Sequence, residues 1–284
     1  MNSSRAEITA VKAHGIDCYR LSAHGASALV SRFGAHVLSW RTADGRERLF
    51  LSERAVFDGV TPIRGGVPVC WPQFAGLGLL PKHGLVRTRI WQADVGADGA
   101  DTATLRLHLG DDEETRALWP HAFAADLSVS LGPESLEIGI GVRNTGTAAF
   151  EFTAALHTYF AVGDIANVAL HGLKGSEYRD AAGADAIRIE EDEAVRFAAE
   201  VDRVYHHAPT QLMLAEGERT MKISANGFPD AVVWNPGATR CAALPDMAPD
   251  GYRRMVCVEA AAARIPVRLP GGAAWRGSQV LAAA

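Results

Sequence analysis

The chain has 284 residues, 48% hydrophobic and 21% charged, enough to bury a large core without staples and too apolar for a disordered chain. That composition also excludes a coiled coil and a collagen-like fibre. With 28 basic and 33 acidic residues the net charge is −5, which argues against a general binder of nucleic acid or anionic membranes.

The charge is unevenly spread. Residues 59–93 hold no Asp or Glu but carry Arg64, Lys82, Arg87 and Arg89, a local +4 that leaves −9 on the remainder. The opening residues lack an apolar stretch followed by a cleavage pattern, and no run of 18 apolar residues occurs. The expectation is a cytoplasmic protein with no signal peptide and no membrane helix. Cys18, Cys70, Cys241 and Cys257 form no C-x-x-C pair and no zinc-ligand spacing, so buried free thiols are expected.

Taken in chain order, Asp44-Gly45 between residues 37–40 and 49–51 signals a hairpin. Residues 53–58 read as a short helix. Residues 61–74, TPIRGGVPVCWPQF, hold three prolines and two glycines and read as a rigid loop presenting Arg64. Residues 80–91, LPKHGLVRTRIW, read as a bend followed by a basic alternating run. Strict alternation follows over 104–109, 123–131 and 136–142, with Gly132-Pro133-Glu134-Ser135 as a hairpin turn. Between the first two of these runs, four acids at 111–114 suit either the first turn of a helix ending near Trp119 or a solvated loop. Asn144-Thr145-Gly146 turns the chain into an aromatic strand over 150–159. Met221-Lys222-Ile223 and the segment MVCVEAAAARIPV read as further strands. Dense strands joined by short turns, with no linker or repeat, predict one all-β domain over residues 1–284, a large antiparallel β-sandwich with a few short helices.

P-loop, dinucleotide-fold, zincin and nucleophile-elbow signatures are absent. Four other segments carry candidate chemistry. Arg64 has the planar fork suited to phosphate, but a surface ion pair would also explain it. Lys82, His83 and Arg87 lie within six residues and form either an anion site or a solvated basic strand. His157 stands on an aromatic strand, as a core histidine or a general acid. Glu259 follows an apolar run, as a general base or a strand-end ion pair, because a buried carboxylate must be partnered or raised in pKa. Asp202 could orient a sugar hydroxyl or simply pair with Arg203, and Trp234 could stack on a sugar ring or belong to the core.

In their order, IRGGVPVCWPQF, LPKHGLVR, LHTYF, DRVY, VVWNP and DGYRRMVCVEA resemble the hexose-6-phosphate mutarotase (glucose-6-phosphate 1-epimerase) family, which is similar to the aldose 1-epimerases. The matching segments span about residues 34–268. The resemblance implies a β-sandwich of the galactose-mutarotase type that needs no cofactor. It implies His157 as catalytic acid and Glu259 as catalytic base. It implies Arg64, Lys82, His83, Arg87 and Asp202 at substrate-binding positions. The family usually has Gln where Lys82 stands, often an aromatic where Gly237 stands, and CVEAG in place of CVEAA.

The expected partner is a small sugar phosphate, with no nucleic acid and no membrane, and the chain is expected to act as a monomer. Free-sugar epimerisation, catalytically silent sugar-phosphate binding and glycoside hydrolysis remain competing expectations. Hydrolysis would call for two carboxylates across the scissile bond.

Overall fold

The computed structural model describes residues 6–94 and 101–283, and every count below refers to them. Two large sheets face each other, and a four-stranded meander covers one end. The meander runs Glu7–Ala13, Ile16–Ala23, Ala26–Ser31 and Val37–Arg41 in order.

The first large sheet has nine strands. Its centre is the run Arg219–Asn226, Ala274–Ala283, Ser135–Asn144, Phe123–Leu131 and Ala103–Gly110, all antiparallel. The alternation in these segments becomes burial: Phe123, Ala125, Leu127, Val129 and Leu131 are buried, and the residues between them are more open. Period-2 side chains put one apolar face inward, as expected for a sandwich.

The second sheet runs Ala186–Ile189, Glu177–Asp180, Val201–Tyr205, Asp230–Asn235, Met255–Leu269, Phe150–Leu156 and Val69–Cys70, with Tyr159–Ala161 also paired to Met255–Leu269. Residues 255–263 are buried without interruption. One face of this strand lies on the nine-stranded sheet and the other lies under the loops that build the cleft. Its apolar run therefore does not alternate, and a carboxylate on it is cut off from water.

Several sequence expectations change here. Residues 53–58 form a turn and extended chain rather than a helix. Asp58 instead accepts from the backbone N–H groups of Val60 and Thr61 (2.8 and 2.6 Å), which closes a local turn that competes with a helix. Residues 85–91 are not a basic strand: Val86–Thr88 is a 3-10 turn, and Trp91 is buried with its indole N–H on the Val86 carbonyl (3.1 Å). The hairpin at Asp44-Gly45 does form, with Arg41 opposite Glu47 and the Arg48 N–H on the Trp40 carbonyl (2.8 Å), and beyond it Leu49 crosses over to pair with Phe160. The acids at 111–114 do start a helix, Glu113–Leu118, in which Asp112 caps the Thr115 N–H (2.7 Å). All four cysteines are buried free thiols, and among the described residues no helix is long and apolar enough to cross a membrane.

Candidate active site

The aromatic strand expected over 150–159 breaks at its functional residue. Phe150–Leu156 ends one residue before His157, and Tyr159 begins the next strand. The His157 N–H keeps its rung to the Pro68 carbonyl (3.0 Å), in register with Ala155 opposite Cys70 and Leu156 opposite Val69, but the Thr158 N–H bonds back to Leu156 (3.0 Å). The register nevertheless continues: Leu156 faces Ala260 and Tyr159 faces Cys257. These pairs bracket His157 and Glu259, which stand opposite each other on one face of the sheet. Directly opposed positions are where cross-strand side chains meet. Here they do: His157 Nε2 lies 3.3 Å from Glu259 Oε1.

Both groups are buried, at 9% and 2% exposure. Burial, reinforced by His83, Arg64 and Arg87, holds the imidazole well below its ordinary pKa. Burial, reinforced by Asp202 and opposed by Lys82, holds the carboxyl well above its own. Both shifts favour the uncharged form of each group. His157 Nδ1 and Glu259 Oε2 have no protein partner, which leaves bonding capacity on each.

A cleft of about 230 Å³ opens over His157, lined also by Arg64, Lys82, His83, Arg87, Tyr159 and Asp246. The loop that presents Arg64 is shaped by close backbone contact. A Cβ on Gly66 (φ +62°) would lie 2.2 Å from the Val37 carbonyl oxygen and 2.9 Å from His36 Nε2. His36 is buried and bonds the neighbouring Gly65 carbonyl at 2.7 Å. Gly66→Ala is accordingly expected to cost at least about 2 kcal/mol, from backbone strain plus displacement of this loop, measurable by urea unfolding. A midpoint within error of wild type would contradict this account of the loop.

Arg64 is held from two sides. Its Nε donates to Asp246 Oδ2 (3.1 Å), Nη2 stands 3.1 Å from the same oxygen as an ion pair, and Nη1 donates to the Tyr159 hydroxyl (3.0 Å). Burial opposes the guanidinium charge, but Tyr159 and Asp246 outweigh it and raise its pKa. Two of the five N–H donors make hydrogen bonds, so donors remain for an anion. Arg87 is fixed differently, donating to the Lys82 carbonyl at 2.6 Å.

His83 accepts the Ala75 N–H on Nδ1 (3.2 Å), and its ring packs edge-on against Phe74 and His157. Burial, with Arg87, Lys82 and Arg64, pushes its pKa down to about 3. The ring is neutral, and with Nδ1 accepting, Nε2 carries the proton.

Asp202 lies on the same face but apart from the cleft lining. It pairs with Trp234, which pairs with Cys257 one strand further on. Its carboxyl is pushed up by burial, and Arg240 and Lys82 pull it back. It makes no direct bond to the other candidate residues. Trp234 is half-buried and packs edge-on against the rings of His157 and Tyr159.

Three contributors escaped the sequence reading. Tyr159, two residues after His157 on a strand, shares its face, and that spacing was the available signal. Asp246 is 182 positions from Arg64 and had no local signal. Arg240, on the helix Gly237–Ala242, is the leading charge acting on both Lys82 and Asp202. That helix also explains Gly237. Its φ is +60° and a Cβ there would lie 2.8 Å from the Glu200 N, so an aromatic does not fit this backbone.

One group of three side chains with metal-ligating atoms occurs among the described residues: His157, Cys257 and Glu259, with those atoms within 4.8 Å of one another. Burial raises the pKa of both the Cys257 thiol and the Glu259 carboxyl, which disfavours the anionic forms that ligate a metal.

His36, beside the loop, also predicts a pH dependence. Burial lowers His36 from 6.5 to about 4, so the unfolded chain binds its proton first as pH falls. The contribution of neutral His36 is complete above about 6.5, declines between about 6.5 and about 4, and is flat below. The melting temperature of wild type relative to His36→Gln should shrink across that window. A difference independent of pH would contradict the buried neutral assignment.

The molecule is thus a β-sandwich with one face opened to a cationic cleft over a buried, opposed imidazole and carboxylate. The sequence profile of the family described as Aldose 1-epimerase matches residues 17–282, and the chain belongs to that family. A protein of Cenchrus ciliaris named "Putative glucose-6-phosphate 1-epimerase" is 39% identical over 271 residues, covering 92% of this chain and 82% of its own. A protein of the same name from Escherichia coli K12 is 38% identical over 233 residues, covering 80% and 77%. A solved structure, titled as that of a "putative mutarotase" from Salmonella typhimurium, superposes with a TM-score of 0.90 at 30% identity, over 98% of this chain and 93% of that one.

Proposed function

We propose that the chain interconverts the α and β anomers of a hexose 6-phosphate, with glucose 6-phosphate as the preferred candidate. The observation that carries this reading is the His157–Glu259 pair at 3.3 Å beneath a cleft that also presents Arg64, Lys82, His83 and Arg87. Mutarotation needs a proton removed from the C1 hydroxyl and a proton supplied to the ring oxygen. Both oxygens are bonded to C1, so the base and the acid must stand next to each other. An opposed imidazole and carboxylate satisfy this. A second carboxylate across a scissile bond, as in most glycoside hydrolases, is not what faces Glu259.

The resting proton state fits a substrate-triggered start. Arg64 and Arg87 help to suppress the imidazolium. A phosphate brings about −1.5 to −2 charges and offsets those two cations. The proton shared by the pair then favours His157, leaving Glu259 as a carboxylate. Glu259 takes the C1 hydroxyl proton while His157 gives its proton to the ring oxygen, and the C1–ring-oxygen bond breaks. The open aldehyde rotates about C1–C2. Closure on the other face returns a proton from Glu259 to O1 and one from the ring oxygen to His157. The neutral His83, with its proton on Nε2, is placed as a donor to a sugar oxygen without adding charge.

Exchange NMR between the anomers of glucose 6-phosphate and of free glucose, with catalytic amounts of the protein, tests this reading. Accelerated exchange strongly favouring the phosphate is expected. Equal acceleration of both sugars would indicate a free-sugar epimerase, and binding without acceleration a silent sugar-phosphate binder.

A further inference from the structure

Gln279 stands where an apolar residue would be expected. It lies on Ala274–Ala283 of the nine-stranded sheet, faces the sandwich core with Gly277 and Leu281, and is 1% exposed. A buried amide is unfavourable unless its polar atoms are bonded. Its two bonds cross to the other sheet. Gln279 Oε1 accepts from the Thr158 hydroxyl at 2.5 Å, and Nε2 donates to the Val258 carbonyl at 3.0 Å.

Those partners are the immediate neighbours of the opposed pair: Thr158 follows His157, and Val258 precedes Glu259. Successive strand side chains point to opposite faces, so His157 and Glu259 rise on the cleft side while Thr158 and Val258 face the core. The strand break gives Gln279 its role. In an unbroken antiparallel ladder, opposed residues of a hydrogen-bonded pair exchange two bonds. Here the Val258 N–H still reaches the Thr158 carbonyl (3.1 Å), but the Thr158 N–H has turned back to Leu156. The Val258 carbonyl has lost its rung, and the Gln279 amide replaces it. The same amide also holds Thr158 through the hydroxyl. One side chain from the opposite sheet thus clamps both strands at the point where their ladder fails.

We propose that Gln279, acting through Thr158 and Val258, is a positioning residue that sets the spacing of His157 and Glu259. The catalytic part of this inference rests on the proposed anomer exchange.

Two variants test it. Gln279→Met keeps the length and removes both bonds. Thr158→Val removes one bond and leaves the Val258 carbonyl served, while Thr158→Ser restores the hydroxyl. Misplacing reacting groups by about 1 Å can cost on the order of 10²-fold in rate. Gln279→Met is expected to lower kcat for glucose 6-phosphate exchange by about 10- to 100-fold with KM within about twofold of wild type. Thr158→Val should lower kcat by about tenfold, and Thr158→Ser should recover it.

An arm without substrate separates the positioning claim from the catalytic reading. The ring ¹⁵N shifts of His157 should move in Gln279→Met and Thr158→Val, while those of buried His36 stay fixed. Folded variants with wild-type kcat, or unmoved His157 shifts, would overturn the proposal. Should Gln279→Met fail to fold, the Thr158→Val and Thr158→Ser pair decides by the same readings. A wild type that fails to accelerate exchange would overturn the catalytic reading alone, and the His157 shifts would still decide the positioning.

Discussion

Glu259→Gln is expected to lower the exchange rate of glucose 6-phosphate anomers by about 10²- to 10⁴-fold with little change in KM, and His157→Ala to lower it similarly. Glutamine keeps the shape and polarity beneath His157 and the cleft but cannot take the C1 hydroxyl proton. The two groups act on one proton relay, so the double variant should lose little more than either single variant. Glu259→Gln should also be more stable than wild type near neutral pH. The folded-state pKa of Glu259 is raised by burial, so its contribution to stability is present below the unfolded value of about 4.5 and lost as pH rises. The stability advantage of Gln should therefore appear at neutral pH and fade below about 4.5. Exchange NMR and thermal melts at two pH values read both effects. Near wild-type exchange in either single variant would remove that residue from the mechanism.

Arg64→Ala should separate the two sugar classes. A hydrogen bond to a charged group contributes about 1.5–3 kcal/mol, so kcat/KM for glucose 6-phosphate should fall by about 10- to 150-fold. Free glucose, which offers no charge to that guanidinium, should lose at most about twofold. Arg64→Lys should fall between, because it keeps the charge without the planar fork that Asp246 and Tyr159 aim. Arg64→Lys also leaves Asp246 a cation, which guards against loss of folding in the Ala variant. Equal losses on both substrates would mean that Arg64 only supports the loop.

The sandwich was legible because its strands alternate, and the structure buries the alternate residues of Phe123–Leu131 and Ser135–Asn144. Glu259 was legible because a carboxylate inside an unbroken apolar run is chemically out of place. The interruption at His157 was not, because it consists of one backbone N–H, that of Thr158, bonding back to the Leu156 carbonyl instead of across to Val258, and the side chains of LHTYF carry no mark of it. The 3-10 turn at Val86–Thr88 was hidden by residues that alternate like a strand, and the pull of buried Trp91 overrode them. Asp246 reaches the cleft, and Arg240 the neighbourhood of Lys82 and Asp202, only through tertiary packing. Gln279 did leave a mark: a Gln between Gly277 and Leu281 breaks the inward pattern of its strand.

The acid-free stretch over 59–93 gains a sharper meaning from the geometry. Arg64, Lys82 and Arg87 reach the cleft, whereas Arg89 pairs with Glu114 on the neighbouring helix. Two cationic loci result: Arg64 with Arg87 beside the imidazole, and Lys82 near Arg240 and Asp202. The account assigns the phosphate to the first.

A crystal structure of Glu259→Gln with glucose 6-phosphate tests that assignment most directly. The account predicts the phosphate on Arg64 and Arg87, the ring oxygen toward His157 and the C1 hydroxyl toward residue 259. A phosphate on Lys82 and Arg240, or C1 turned away from residues 157 and 259, would contradict it.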